Sequence, residues 1–267
     1  MVFGGPYSNL QALEAVKTIC DGNNVAPSNV ICTGDIVAYC AQPAECIDFI
    51  RQWNIQVIAG NVELQLAEDS DTCGCNFNKG SVCDALSNKW YTFAKRNITA
   101  QQIQWLSRLP HFLRFSCMGY TFSVVHGAYT QTAKFIYRST AWRSKFVEFA
   151  QTQSDIILAG HCGIPFIEIN NNKVWANAGV IGMPPNDGTT LGWYLTITPN
   201  AHQLVIETKS FHYDHLKAAT LIENKQLAVE YARSLRSGIW PSHDILPETE
   251  REQQGNALQT EKITLSI

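Results

Sequence analysis

The 267-residue chain predicts a layered α/β fold, and three observations carry that prediction. Short apolar runs alternate with segments of helical periodicity through the first half of the chain. Four polar signatures, Gly34-Asp35, Gly60-Asn61, His126-Gly127 and Gly160-His161, each stand directly after an apolar run, so successive strand ends present a carboxylate, an amide and two imidazoles. Beyond Gly163 the pattern changes to consecutive strand-like runs, which points to a second sheet stacked on the first.

The elements follow in order. Residues 1–3 read as a strand broken by Gly4-Gly5-Pro6, and Leu10, Leu13, Ala15 and Val16 place a helix over residues 9–19, with Ser8 or Asn9 as its cap. Residues 30–32 form a buried strand, 43–53 a helix opened by Pro43, and 55–59 the next strand. A polar insertion over 68–80 carries Cys73 and Cys75. Helices over 81–95 and from Thr99 follow, the latter with a Thr99/Gln102 capping box, and these two are expected to cap one side of a cleft. Residues 112–115 and 120–125 read as a hairpin, 142–151 as a helix and 156–159 as a buried strand. Asn170-Asn171-Asn172 turns between strands at 164–169 and 174–176. Residues 180–181, 193–198 and 204–209 complete the β character. The remainder reads as two helical stretches followed by polar, proline-interrupted sequence. The expected organisation is one domain, a core over about 1–215 and a helical tail over about 216–267.

Composition narrows the function classes. With 45% hydrophobic and 16% charged residues the chain can bury a large core. Twenty basic against 23 acidic residues give a formal charge of −3, and no basic stripe interleaved with aromatics appears, so nucleic acid is not an expected partner. No apolar run reaches the length of a membrane span and the start lacks a signal-peptide pattern, which reads as a cytoplasmic protein with no membrane partner. Nine cysteines in a chain this large read as reduced thiols. Cys73, Cys75 and Cys83 form a possible thiol metal or redox site, although the spacing lacks the paired pattern of a zinc ribbon, and a plain loop is the preferred reading.

Taken in order, the blocks around Asn9-Leu10-Gln11-Ala12-Leu13, Gly34-Asp35-Ile36-Val37-Ala38-Tyr39, Gly60-Asn61, Val125-His126-Gly127, Gly160-His161-Cys162-Gly163 and Asn177-Ala178-Gly179-Val180-Ile181-Gly182 resemble those of the calcineurin-like metallophosphoesterases, bacterial branch. The resemblance runs from about residue 3 to about residue 215. It implies a four-layer α/β/β/α sandwich of two mixed β-sheets flanked by helices, with two metals at the strand ends bridged by one aspartate. Carried over, Asp35 is the bridge and Asn61, His126 and His161 complete the second metal, so these four are the candidate metal ligands and catalytic residues. One carboxylate and two imidazoles suit a divalent transition ion, Mn, Zn or Fe.

The chain departs from the family at the first metal. The opening Asp-x-His stands here as Gly5-Pro6-Tyr7, and the second histidine of the Gly-His-x-His block as Gly163. One ion is therefore expected rather than two, with Tyr7 and Cys162 either substituting as ligands or remodelling the pocket. Val62 occupies the position of the family's histidine acid, a loss worth roughly 10²–10⁴-fold in rate. Tyr7, Glu63 and Asn177 are expected on the substrate side; the resemblance also implies that Glu63 orients its neighbours, and a plain turn role for Asn177 stands as an equal alternative. The reading is a hydrolase of small phosphorylated substrates, phosphoesters or phosphoanhydrides, with good leaving groups favoured. The alternative is a catalytically degenerate fold serving as a ligand- or protein-binding module. His111, His202, His212, His215 and His243 read as surface or packing residues.

Overall fold

The structure is a computed structural model that describes residues 1–75, 77 and 79–266; Asn76 and Asn78 of the predicted insertion, and Ile267, lie outside the described residues. Three short parallel strands, β1 (Val2–Phe3), β2 (Ile31–Cys32) and β3 (Gln56–Val57), are linked by helices α1 (Leu10–Gly22) and α2 (Pro43–Trp53). Asn9 caps α1 through its side chain, which accepts the N–H of Ala12, and Pro43 opens α2 where a free N–H is not needed. A short helix not foreseen in the sequence, α3 (Asn61–Ala67), starts just past the third strand, after Ile58, Ala59 and Gly60, followed by α4 (Val82–Asn97) and α5 (Ala100–Leu106). The Thr99/Gln102 capping box forms.

Next come the hairpin β4 (Leu113–Cys117) and β5 (Tyr120–Val124), helix α6 (Trp142–Thr152), β6 (Ile156–Ala159), and the hairpin β7 (Pro165–Asn170) and β8 (Lys173–Ala178). Asn171 and Asn172 at φ 47° and 60° supply the left-handed turn that joins the last two. The chain continues through β9 (Gly192–Asn200), β10 (Gln203–Phe211), α7 (His215–Asn224), α8 (Val229–Ser237), α9 (Glu248–Glu252) and β11 (Lys262–Ser266).

Two mixed sheets result, with strand orders β11-β10-β9-β1-β2-β3 and β4-β5-β6-β8-β7. Period-two alternation sorts their side chains into layers. Val2, Ile31, Ile156, Leu158, Val174, Ala176, Leu195 and Ile206 pack together between the sheets. Their strand neighbours Phe3 and Cys32 face α1, α2, α4 and α7, while Ile157, Ala159 and Trp175 face α6. The fold is thus the four-layer α/β/β/α sandwich.

Beyond the unforeseen α3, three details differ from expectation. The late hairpins do not make a sheet of their own, because β7–β8 joins the second sheet and β9–β10 joins the first, antiparallel to β1. Residues 180–181 are buried but not a strand; Ile181 and Gly182 instead donate their N–H groups to Gly4 and Gly5 carbonyls. The tail is more than helical, since β11 adds to the edge of β10 with Gln203 opposite Ser266. No helix among the described residues is long and apolar enough to cross a membrane.

Candidate metal centre

The strand ends deliver their polar residues to one point. Asp35 follows β2, Asn61 opens α3 after β3, His126 follows β5 and His161 follows β6. Asp35 and His161 hold left-handed backbones, at φ 53° and 59°, a conformation that is uncommon outside glycine and concentrates at functional sites. Gly60 allows the approach: a Cβ there would stand 2.2 Å from Asp35 Oδ1.

Asp35 Oδ2 lies 3.2 Å from His126 Nε2 and 3.9 Å from His161 Nδ1. The two ring nitrogens are 2.9 Å apart, and Asn61 Oδ1 is 3.0 Å from His126 Nε2. All four side chains are almost fully buried. Among the described residues, Asp35, His126 and His161 are the one group of three or more such side chains gathered closely enough to share an ion.

Each donor of the quartet is turned away from this point. His126 Nδ1–H donates to the Thr33 carbonyl at 2.7 Å and His161 Nε2–H to the Ala133 carbonyl at 3.1 Å. A carbonyl can only accept, so in the neutral rings Nε2 of His126 and Nδ1 of His161 carry lone pairs. The Asn61 amide donates to the Cys73 carbonyl at 2.8 Å and Cys75 Sγ at 3.2 Å, which points its oxygen inward. Asp35 Oδ1 is occupied by the Val62 N–H at 3.3 Å, leaving Oδ2 for the rings. Four acceptors facing one another repel unless a cation or a proton stands among them. Ligand atoms around a tetrahedral ion with bonds of about 2.0–2.2 Å sit roughly 3.3–3.6 Å apart, and the spacings here fall on either side of that range, from 2.9 to 3.9 Å.

The electrostatics favour a positive charge, cation or proton, at this point. Burial raises the Asp35 pKa, but the two imidazoles outweigh it and hold the carboxyl well below the usual range. Burial lowers the His126 pKa, yet the Asp35 charge draws it above its ordinary value, while burial keeps His161 below its own.

The substrate-side expectations are partly corrected. Glu63 does not reach the cleft: it is fully buried, and its carboxylate accepts the N–H groups of Asp35 at 2.7 Å, Ile36 at 2.9 Å and Gly60 at 2.8 Å. Burial and then the Asp35 charge push its pKa up to about 7. Its place is to fix the turn that carries Asp35. Asn177 is also buried and closes its own turn, donating to the Gly160 carbonyl at 2.7 Å and accepting the Gly179 N–H at 2.9 Å. Tyr7 does line the cleft, together with Asp35, Tyr39, His161 and Trp240. Val62 is buried in the core.

Of the three positions where the resemblance expects first-metal ligands, Tyr7 fills one and rings cover the other two, Gly5 and Gly163. A Cβ on Gly5 would fall 2.4 Å from Tyr7 Cε1, and a Cβ on Gly163 would fall 2.9 Å from Trp240 Cζ2. Cys162 is buried, its thiol turned to the Ile164 carbonyl and its pKa pushed up to about 12 by burial.

Comparison with known proteins agrees with this geometry. The profile of the calcineurin-like phosphoesterase superfamily domain matches residues 9–199. The chain belongs to this superfamily. It is similar to an uncharacterized protein of Methanocaldococcus jannaschii, MJ0912, at 26% identity over 240 residues, covering 83% of this chain and 90% of that one. Among solved structures it resembles hypothetical protein PH1004 from Pyrococcus horikoshii, with a TM-score of 0.74 at 17% identity, covering 90% of this chain and 98% of that one. A metallophosphoesterase from Sphaerobacter thermophilus aligns with a TM-score of 0.67 at 20% identity, covering 89% and 98%. At those identities the two structures speak for the fold.

Sequence reasoning missed the supports of this superfamily member's quartet. Cys73 and Cys75 are buried against Asn61 although their loop is polar, and the two thiols stand 2.9 Å apart. Cys83 does not join them in a three-ligand cluster. Trp240, in the tail, had no motif to mark it; its only signal was a large aromatic in polar sequence.

Proposed function

We propose that the protein is a metal-dependent phosphoester or phosphoanhydride hydrolase working with a single transition ion, Mn, Zn or Fe, held by Asp35, Asn61, His126 and His161. The observation that carries this reading is the convergence of four acceptor atoms with every donor directed elsewhere. The Tyr7 and Trp240 rings over Gly5 and Gly163 support one ion rather than two. When bound, such an ion acidifies water and polarises a phosphoryl oxygen.

The chain supplies the rest. The Thr33 and Ala133 carbonyls fix both imidazole tautomers, Glu63 accepts the Asp35 backbone N–H, and the Val62 N–H holds the Asp35 carboxylate. Val62 offers no proton to a leaving group, so substrates whose leaving groups need none are favoured: anhydrides and activated esters over simple alkyl esters. Its partners are small phosphorylated molecules rather than nucleic acid, a reading supported by a cleft whose described lining has no Lys or Arg. We place it in the cytoplasm because nine thiols in a chain this size suit a reducing compartment.

The absence of a positioned acid also favours a second reading, in which the same metal site binds a ligand without turnover. Hydrolysis of an activated aryl phosphodiester with added Mn²⁺ or Zn²⁺ decides between them. The hydrolase reading expects turnover that disappears in His126→Ala; turnover unchanged in that variant contradicts it.

A further inference from the structure

The cleft beside the quartet carries a group of aromatic rings in its lining. Tyr7, Tyr39, Phe135, Tyr231 and Trp240 line it with Met183, and among its described lining residues there is neither Lys nor Arg. The aromatic wall is held in place. Trp240 donates its indole N–H to the Pro184 carbonyl at 2.6 Å and its backbone N–H to Asn186 Oδ1 at 2.8 Å. Phe135 stacks on the His161 ring with centroids 4.3 Å apart, and the Tyr39 ring meets Tyr7 and Tyr231 at 4.7 Å each.

Two physical consequences follow for whatever enters. A divalent ion with the Asp35 carboxylate leaves one net positive charge, and the lining adds no fixed cation, so a second negative charge on the ligand would stay uncompensated in an apolar wall. The apolar ring surface rewards a flat hydrocarbon arm on the ester, which it shields from water and can meet edge-on or offset.

Resting on the metal-centre reading above, we propose that this site selects singly charged phosphoryl esters carrying an aromatic arm, with Trp240 as the residue that determines the preference. Of the two substrate classes favoured above, this narrows the choice to activated aryl phosphodiesters: anhydrides such as nucleoside triphosphates or inorganic pyrophosphate carry more than one negative charge and are rejected for want of counter-charge.

The test is calorimetric titration of metal-loaded protein with slowly hydrolysed probes: phenyl methylphosphonate, ethyl methylphosphonate, and doubly charged benzylphosphonate at mildly alkaline pH. Metal content is measured on the same samples. The phenyl probe is expected to bind about tenfold or more tighter than the ethyl probe and than the dianion. Trp240→Ala is expected to shrink the phenyl-over-ethyl ratio to about threefold or less with metal content unchanged, and Trp240→Phe to retain most of it. Equal binding of phenyl and ethyl probes, or tighter binding of the dianion, by metal-replete protein overturns this proposal alone. Protein that takes up no metal overturns the metal-centre reading and this proposal with it.

Discussion

The Tyr7 ring lies over the α-carbon of Gly5, where a Cβ would stand 2.4 Å from Cε1. Tyr7 and Ser8 both adopt left-handed backbones, at φ 53° and 58°, and this turn folds the ring back over its neighbour while the Tyr7 and Ser8 N–H groups bond the Asp35 and Ile36 carbonyls. Glycine at position 5 and the aromatic ring at position 7 are therefore one structural choice. Trp240 and Gly163 repeat it on the facing side.

A first prediction follows for Gly5→Asp. A carboxylate there must displace the Tyr7 ring from a packed aromatic cluster, so the single variant loses roughly 1–3 kcal/mol of stability, read as a lower midpoint in urea denaturation. Gly5→Asp combined with Tyr7→His removes the obstruction and recovers part of that loss. An unchanged midpoint in the single variant would mean that the ring moves aside freely.

Cys75 is predicted to act on the metal through Asn61. Its Sγ accepts one amide hydrogen of Asn61 and the Cys73 carbonyl the other, which fixes the inward direction of Oδ1. Cys75→Ala leaves one of these bonds and is expected to weaken metal affinity by about tenfold, within the range usual for groups that orient a ligand. Competition with a chelator of known affinity measures it. A complete loss of metal would make Cys75 a direct ligand instead.

Glu148 gives a prediction with a defined pH sign. Its carboxylate accepts the Thr130 N–H at 2.9 Å, the Thr130 hydroxyl at 2.7 Å and the Lys134 ammonium at 2.8 Å, and so anchors the loop whose Ala133 carbonyl orients His161. Burial raises its pKa, but Lys134 and Thr130 outweigh that and leave it below the ordinary 4.5. The stability it contributes is present above the unfolded value and lost as pH falls through the folded one. Glu148→Gln is expected to cost about 1–3 kcal/mol near neutral pH, with the gap to the unaltered protein closing as pH drops below about 4.5. A gap independent of pH would assign the effect to packing.

Much of this was legible in the sequence because it is local. Apolar runs ending in Gly-Asp, Gly-Asn, His-Gly and Gly-His name their own strand ends, and the order of those blocks carried the family and with it the layers. Caps at Asn9 and Thr99 and the start at Pro43 depend on neighbours a few residues away, and the structure has them as expected. What the sequence hid depends on distant partners. Glu63 reads from the sequence either as a substrate-side acid or as a residue that orients its neighbours, and four backbone N–H groups, three of them on the distant residues 35–37, decide for the second. Cys73 and Cys75 sit in polar sequence yet are buried in the core cluster, where they accept the Asn61 amide hydrogens. The pairing of β9–β10 with β1, and of β11 with β10, is set by the sheet edge each finds and leaves no mark in periodicity.

The central claim is that four acceptors converge on one cation position while rings cover the other. Anomalous diffraction at metal absorption edges, on crystals of protein purified without chelator, measures this directly. The account predicts a single peak within bonding distance of Asp35, Asn61, His126 and His161, absent in crystals of Asp35→Ala. Two peaks with the Tyr7 and Trp240 rings displaced, or four side chains around solvent alone in metal-replete crystals, would contradict it.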